Sequence, residues 1–192
     1  MPNKKPQRIK IYLAGRIPIG DEPGIDPRWR EKYIQRLKKL IPQAIFVDPS
    51  YREIKEEDHK AVFGHDLFLI KQADLMLVNA EMPIGLGTAQ EMVIAKYFQK
   101  PIITVSPGGS YYSPAVTKIN GKNVKNWHHP FLAILSDQII EDVQELKPIL
   151  IKLKGERIPR WKTFVEKSIK YYLTHYFSKD KKTQEILKKT KC

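Results

Sequence analysis

Hydrophobic positions in this chain fall into short apolar runs and helical stripes that alternate over the first 105 residues. Ile9, Ile11 and Leu13 alternate with polar or small residues between Arg8 and Gly15, which predicts a first strand with Tyr12 just before its carboxyl end. Trp29, Tyr33, Leu37 and Leu40 then recur at helical spacing, and Pro42 ends that helix. Ala44 to Val47 reads as a second short buried strand, and Glu53 to Asp58 as a surface turn or the approach to a helix. A helix follows from about Asp58 to Gln72 through Val62, Phe63, Leu67, Leu69 and Ile70, with Asp66 embedded in it. Ala73 to Asn79 is an apolar run of the kind buried on both faces of a sheet. Met92, Val93, Ala95 and Phe98 give a third helix its apolar face, Lys100-Pro101 stops it, and Pro101 to Val105 is the fourth strand. This alternation predicts an α/β domain: a three-layer, doubly wound parallel sheet of flavodoxin- or Rossmann-like type.

The remaining segments are less periodic. Residues 17 to 27 hold three prolines and two glycines and read as a long loop. Ser106 to Asn126 is a second long loop, of a length that is usually functional or mobile. Ser136-Asp137 can cap a helix running to about Lys147. Past Gly155, Trp161, Val165, Ile169, Tyr172 and Tyr176 mark an extra amphipathic C-terminal helix, with a frayed lysine-rich end from Lys179. The expected division is a domain over residues 1–154 and a basic helical extension over 155–192.

Composition narrows the class. At 192 residues and 42% hydrophobic, the chain can bury one sizeable core. No apolar run reaches the ~18 residues of a membrane span and no signal-peptide core follows the basic N-terminus, so a cytoplasmic protein is expected. The single cysteine, Cys192, has no internal partner for a disulfide. The net charge of +13 sits at the ends: residues 1–10 carry four basic and no acidic groups, and residues 155–192 carry eleven against four. The centre, nineteen against seventeen, is not built around a polyanion, which argues against a nucleic-acid partner. Abundant Lys, Glu and Ile with little Asn suits a thermophile.

Candidate chemistry gathers at the turn after the third strand. Gly85 and Gly87 let the backbone turn sharply or approach a ligand, and Glu91 follows them at the start of a helix. Thr88-Ala89-Gln90-Glu91 is also a T-x-x-E capping box, and that motif taken alone favours a structural cap. The two roles are compatible, because a helix N-terminus stabilises the anion that a nucleophilic Glu must be. Asp66 among apolar neighbours is costly to bury unpaired, so it lies on a solvent stripe or is held for a purpose. Tyr12, Asp66 and Glu91 converge on one sheet edge, and two carboxylates with a phenol suit glycosidic chemistry. Gly85-x-Gly87 lacks the third glycine of a dinucleotide fingerprint and no P-loop is present. His128 and His129 are adjacent and without a nearby Cys or acidic cluster, so no metal site is expected.

These pieces resemble the nucleoside 2-deoxyribosyltransferase family and its relatives, the deoxynucleoside-monophosphate N-glycosidases. The matching residues are Ile11-Tyr12-Leu13-Ala14-Gly15, then His65-Asp66-Leu67 with Ala73-Asp74-Leu75 eight residues on, then Gly85-Leu86-Gly87-Thr88-Ala89-Gln90-Glu91. The resemblance covers roughly residues 9 to 105 and implies a sheet of about five parallel strands. It makes Glu91 the nucleophile at C1′ of deoxyribose, Tyr12 the hydroxyl that orients it, and Asp66 the acid and base beside the nucleobase. Asp74 is a substrate-binding position by the same carry-over, although a carboxylate at a strand start is more often structural. Asn79 contacts the sugar or closes the strand. Two departures are informative. Pro83-Ile84 stands where the transferases often have another acid. Gly85 replaces the serine that helps the monophosphate glycosidases hold phosphate, which weighs against a nucleotide substrate, although Arg16 and its loop remain able to bind one. The resemblance also implies a homo-oligomer in which a neighbouring subunit completes the pocket, here with the segment around Asn126.

The sequence therefore predicts an enzyme with no cofactor that moves 2-deoxyribose from a deoxynucleoside to a free nucleobase. Water as acceptor would make it a nucleoside or nucleotide N-glycosidase. A non-catalytic nucleotide-binding module is the reading from another class, and it has no need of Tyr12, Asp66 and Glu91 together.

Overall fold

The computed structural model describes residues 8–18, 26–153 and 160–189, and it divides into two compact units, Met1–Ile158 and Pro159–Cys192. In the first unit, β1 (Lys10–Ala14), β2 (Ile45–Val47), β3 (Leu75–Asn79), β4 (Ile102–Val105) and a strand at Gln138–Ile140 form one parallel sheet. Its order is β2-β1-β3-β4 followed by that last strand. Between them run α1 (Trp29–Leu40), α2 (His59–Gln72) and α3 (Leu86–Tyr97). The protein has the α/β architecture that the apolar runs predict. The expected helix from Ser136 to Lys147 is the main correction: Asp137 instead receives the backbone N–H of Ile102 at 2.7 Å and the ammonium of Lys96 at 2.6 Å. Those bonds hold the segment in register beside β4 and make Gln138–Ile140 the fifth strand. Asp142 and Glu145 then form a reciprocal capping box over a 3₁₀ turn (Val143–Glu145) that leads into a helix at Leu146–Leu153.

The loop expected over Ser106–Asn126 contains an antiparallel hairpin, β5 (Val116–Ile119) with β6 (Lys122–Lys125). Asn120 and Gly121 turn it with φ of 49° and 80°, as a tight two-residue hairpin requires. A short helix, α4 (Pro130–Leu135), follows, which makes Gln138–Ile140 β7 and Leu146–Leu153 α5.

Strand side chains alternate between faces. Ile11, Leu13, Leu75, Leu77, Ile103 and Val105 bury against Trp29, Tyr33 and Leu37 of α1 and against Leu146 of α5. Tyr12 lies between Ile11 and Leu13 and so points to the opposite face, where α2 and α3 lie. Helix α2 is less buried than its composition suggests. Ile70 is its one fully buried residue, and Phe63 and Phe68 are exposed.

The described residues of the second unit form α6 (Trp161–Tyr172), a π-helical turn (Leu173–Phe177) and α7 (Lys181–Lys189). The expected frayed end is thus a helix as far as Lys189. Asp180 caps it, accepting from the Thr183 N–H at 3.1 Å and from the Tyr172 hydroxyl at 2.8 Å. No helix among the described residues is long and apolar enough to cross a membrane.

Candidate active site

The strand order reverses direction between β1 and β3, and open α/β sheets bind ligands outside the carboxyl ends of the strands at such a point. Gly15 continues β1 there. A side chain at this position would meet the Trp29 ring at 2.5 Å, so glycine is what allows the strand end to pass under α1. Arg30, buried beside Trp29, donates to the carbonyls of Leu13 (3.3 Å) and Gly15 (2.6 Å) and pairs with Asp48 at 3.4 Å. It fixes the end of β1 and sets a positive charge under the site.

Tyr12 is fully buried, and its hydroxyl donates to Glu91 Oε1 at 2.7 Å. Burial, and then the charge of Glu91, push the phenol far above its ordinary range, so Tyr12 remains a neutral donor. Burial also raises the Glu91 carboxyl, from 4.5 to about 7. The Tyr12 bond opposes this rise and Asp66 adds to it, while Arg30 and Arg52 pull the other way. Glu91 is a half-buried carboxylate with one oxygen held, and it exchanges a proton near neutrality.

The capping role for Glu91 is corrected by the structure. Helix α3 begins three residues earlier than the T-x-x-E motif implies: Gly85 is its N-cap, no side chain caps it, and Thr88 is buried in the third position. Glu91 therefore stands in the second turn, beyond reach of the helix start, and turns toward β1.

Asp66, on α2, lies near enough to Glu91 and Tyr12 to raise both. Its Oδ1 meets His65 Nδ1 at 2.9 Å and Arg52 Nη1 at 3.6 Å. Arg52 is also held by Glu56 through two bonds of 2.8 and 2.6 Å and by the Pro49 carbonyl at 3.2 Å. Arg30, Arg52 and His65 have no role in the sequence reading. Arg30 and Arg52 sit in charged stretches without a motif, and His65, though part of the quoted His-Asp-Leu triplet, shows its contact only in three dimensions.

The other candidates separate. Asn79 ends β3, is buried, and accepts the Glu81 N–H at 3.0 Å, which closes the strand. Gly85 has Arg16 close by, its missing Cβ lying 3.9 Å from Arg16 Cγ, and Gly87 has open space above it. Ile84 N–H donates to the Tyr112 hydroxyl at 2.9 Å, which ties the turn to the loop after β4. Asp74 is a correction: it stands at the amino edge of the sheet, where its carboxylate receives the Lys10 N–H at 2.7 Å, and it is structural. Asn126, expected to complete a neighbouring subunit's pocket, has a left-handed backbone (φ 49°) and lines a cavity of about 470 Å³ with Ser106, Ser113 and Trp127. His128 bonds Ser113 at 2.8 Å, and His129 packs its ring against Tyr112 and Trp127.

No protein-family model and no curated protein sequence matches the chain. A solved structure of a conserved protein from Enterococcus faecalis V583 is similar, at 17% identity over 74% of this chain and 96% of that one, with a TM-score of 0.56. The two share a fold. Similar solved structures also include a 2-deoxyribosyltransferase from Bacillus psychrosaccharolyticus (21% identity, 72% and 90% covered, TM-score 0.45). A third is the Clostridium botulinum CMP N-glycosidase BcmB (17% identity, 73% and 97% covered, TM-score 0.41).

A concavity of about 660 Å³ does not include Tyr12, Asp66 or Glu91. It runs along α3 and α4 and is walled by Phe63, Leu86, Val93, Phe131 and Leu132. Its lining is mainly apolar, with Gln90, Tyr112 and His129 among it.

Proposed function

We propose that this protein cleaves the N-glycosidic bond of 2′-deoxyribonucleosides and passes the sugar to a second nucleobase through an ester on Glu91. The 2.7 Å bond from the buried Tyr12 hydroxyl to Glu91, with Asp66 beside the pair at the sheet's switch point, carries this reading. Tyr12 occupies Oε1, so Oε2 attacks C1′ while the bond from C1′ to the base nitrogen breaks and Asp66 gives its proton to that nitrogen. In the second half, Asp66 takes a proton from the incoming base, whose nitrogen attacks C1′ and releases the Glu91 carboxylate. Arg30 and Tyr12 need no charge change in either half. The deciding assay mixes the protein with a deoxynucleoside and a different free base and resolves the products by chromatography. A new deoxynucleoside supports transfer, free deoxyribose alone makes the protein a hydrolase, and unchanged starting material removes both in favour of a binding module.

The pH dependence follows from Glu91. Below about 7 the folded protein holds the carboxyl protonated and unable to attack, so the rate of loading with a 2-fluoro deoxyribosyl analogue whose leaving group needs no proton should rise about tenfold per pH unit and level off above 7. A loading rate that is flat from pH 5 to 8 would place the nucleophile elsewhere.

The oligomer belongs to the same proposal. Leu86 is 80% exposed and Phe131 72% exposed on the α3/α4 face, where a second copy would cover them and bring its own loop to the site. Sedimentation of the full chain is expected to give an oligomer. A monomer at assay concentration that still turns over would remove this part.

A further inference from the structure

Successive residues on an α-helix point about 100° apart and do not normally meet. His65 and Asp66 are successive residues inside α2, yet the imidazole Nδ1 lies 2.9 Å from Asp66 Oδ1. Both side chains are therefore bent toward one another. Asp66 Oδ1 also has Arg52 Nη1 at 3.6 Å, so one carboxylate oxygen faces both basic groups. The Asp66 side chain is 20% exposed and that of His65 23%, so the imidazole reaches solvent while its partner faces the Tyr12–Glu91 pair. Glu56, clamped on Arg52, is close enough to His65 to feel its charge. Among the described residues, Asp66, Arg52 and Glu56 are charged groups gathered near the ring.

We propose that His65 is a positioning residue that acts through Asp66 and relays the solvent proton which the departing nucleobase takes away. The inference rests on the glycosyl-transfer reading above. As the bond from C1′ to the base breaks, the base nitrogen takes the proton on Asp66 Oδ2. The imidazolium Nδ1–H of His65 moves to Oδ1 in the same step. Asp66 thus ends as a neutral acid with its proton on the other oxygen, His65 ends neutral, and the base leaves neutral. Histidine suits this role because an imidazole can both take up and hand on a proton through its ring nitrogens. The adjacent Arg52 is always protonated and cannot. Arg52 holds the β2–α2 segment against the carboxylate, and His65 supplies the proton.

The test separates proton delivery from mere support of the helix. An adenine leaving from 2′-deoxyadenosine needs a proton, whereas 7-methylguanine leaving from 7-methyl-2′-deoxyguanosine is already neutral once the bond breaks. His65→Asn sets an amide nitrogen near the Nδ1 position and retains a hydrogen bond to Asp66, but it carries no transferable proton. The ratio of turnover on 2′-deoxyadenosine to that on the 7-methyl substrate is expected to fall about tenfold or more in this variant. That is less than the ~10²–10⁴ attached to losing a general acid itself. An equal loss on both substrates, or no loss on either, overturns the relay. A wild-type protein that cleaves neither substrate overturns the glycosyl-transfer reading instead. His65→Gln provides the same ratio should the Asn variant not fold, with melting curves reporting the fold of each.

Discussion

Glu91→Gln should abolish transfer while leaving the protein at least as stable as the wild type. An amide is not a nucleophile toward C1′, and it leaves no ester that the second base can attack. Its carbonyl oxygen still accepts the Tyr12 hydroxyl, so the fold around β1 and α3 retains its bond. The stability side follows from linkage. The folded-state carboxyl, at about 7, lies above its ordinary 4.5, so between these values the folded protein binds the extra proton. Stability contributed by this group is therefore full below about 4.5, is lost as pH rises toward 7, and stays lost above it. Gln has no such cost. The difference in Tm between variant and wild type should grow in the variant's favour from pH 5 to 7 and then level off. Intact-protein mass spectrometry after incubation with a 2-fluoro deoxyribosyl analogue should show an adduct on the wild type, within the peptide containing Glu91, and none on the variant. Base exchange by the Gln variant at a comparable rate would leave Glu91 as a half-buried structural group, and the mechanism would be wrong.

The sheet was legible because its central strands are pure apolar runs. Ala73 to Asn79 and Pro101 to Val105 have no reading other than strands buried on both faces, and α1 stops where Pro42 forces it to. The fifth strand was not legible. Gln138-Ile139-Ile140 is three residues long and follows Ser136-Asp137, which reads locally as a helix cap. Only the long-range bond from Ile102 N–H to Asp137, 35 residues apart in sequence, reveals a strand register. The same limit explains Thr88 and Glu91. The box spacing is correct, but Gly85 needs no side chain to begin a helix, and the helix starts on the glycine turn instead.

At the site, residues whose chemistry depends on a strand or helix end were readable, and those whose chemistry depends on a partner from another element were not. Tyr12 and Glu91 lie 79 residues apart, yet both sit beside turns that sequence places at one sheet edge. Arg52 and His65 acquire meaning only when the loop after β2 folds back on α2. Asp74 rests on resemblance alone, and the geometry sends it to the opposite edge of the sheet.

Asp66→Asn carries the second large effect and tests the half of the mechanism that Glu91 cannot. The side chain is partly exposed and its contacts are with His65 and Arg52, both of which an amide can still meet through its oxygen, so the variant should fold. It cannot deliver a proton to the base, and the base must then leave as an anion. On general-acid grounds turnover of 2′-deoxyadenosine should fall by ~10²–10⁴. Formation of the Glu91 ester from 7-methyl-2′-deoxyguanosine, whose base leaves without a proton, should be affected far less. Asp66 raises the Glu91 carboxyl, so removing its charge should move the lower limb of the loading-rate profile to more acidic pH. A variant that turns over 2′-deoxyadenosine at the wild-type rate, with an unmoved limb, would return Asp66 to the role of a solvent-facing helix residue and leave the base to depart without help from this chain.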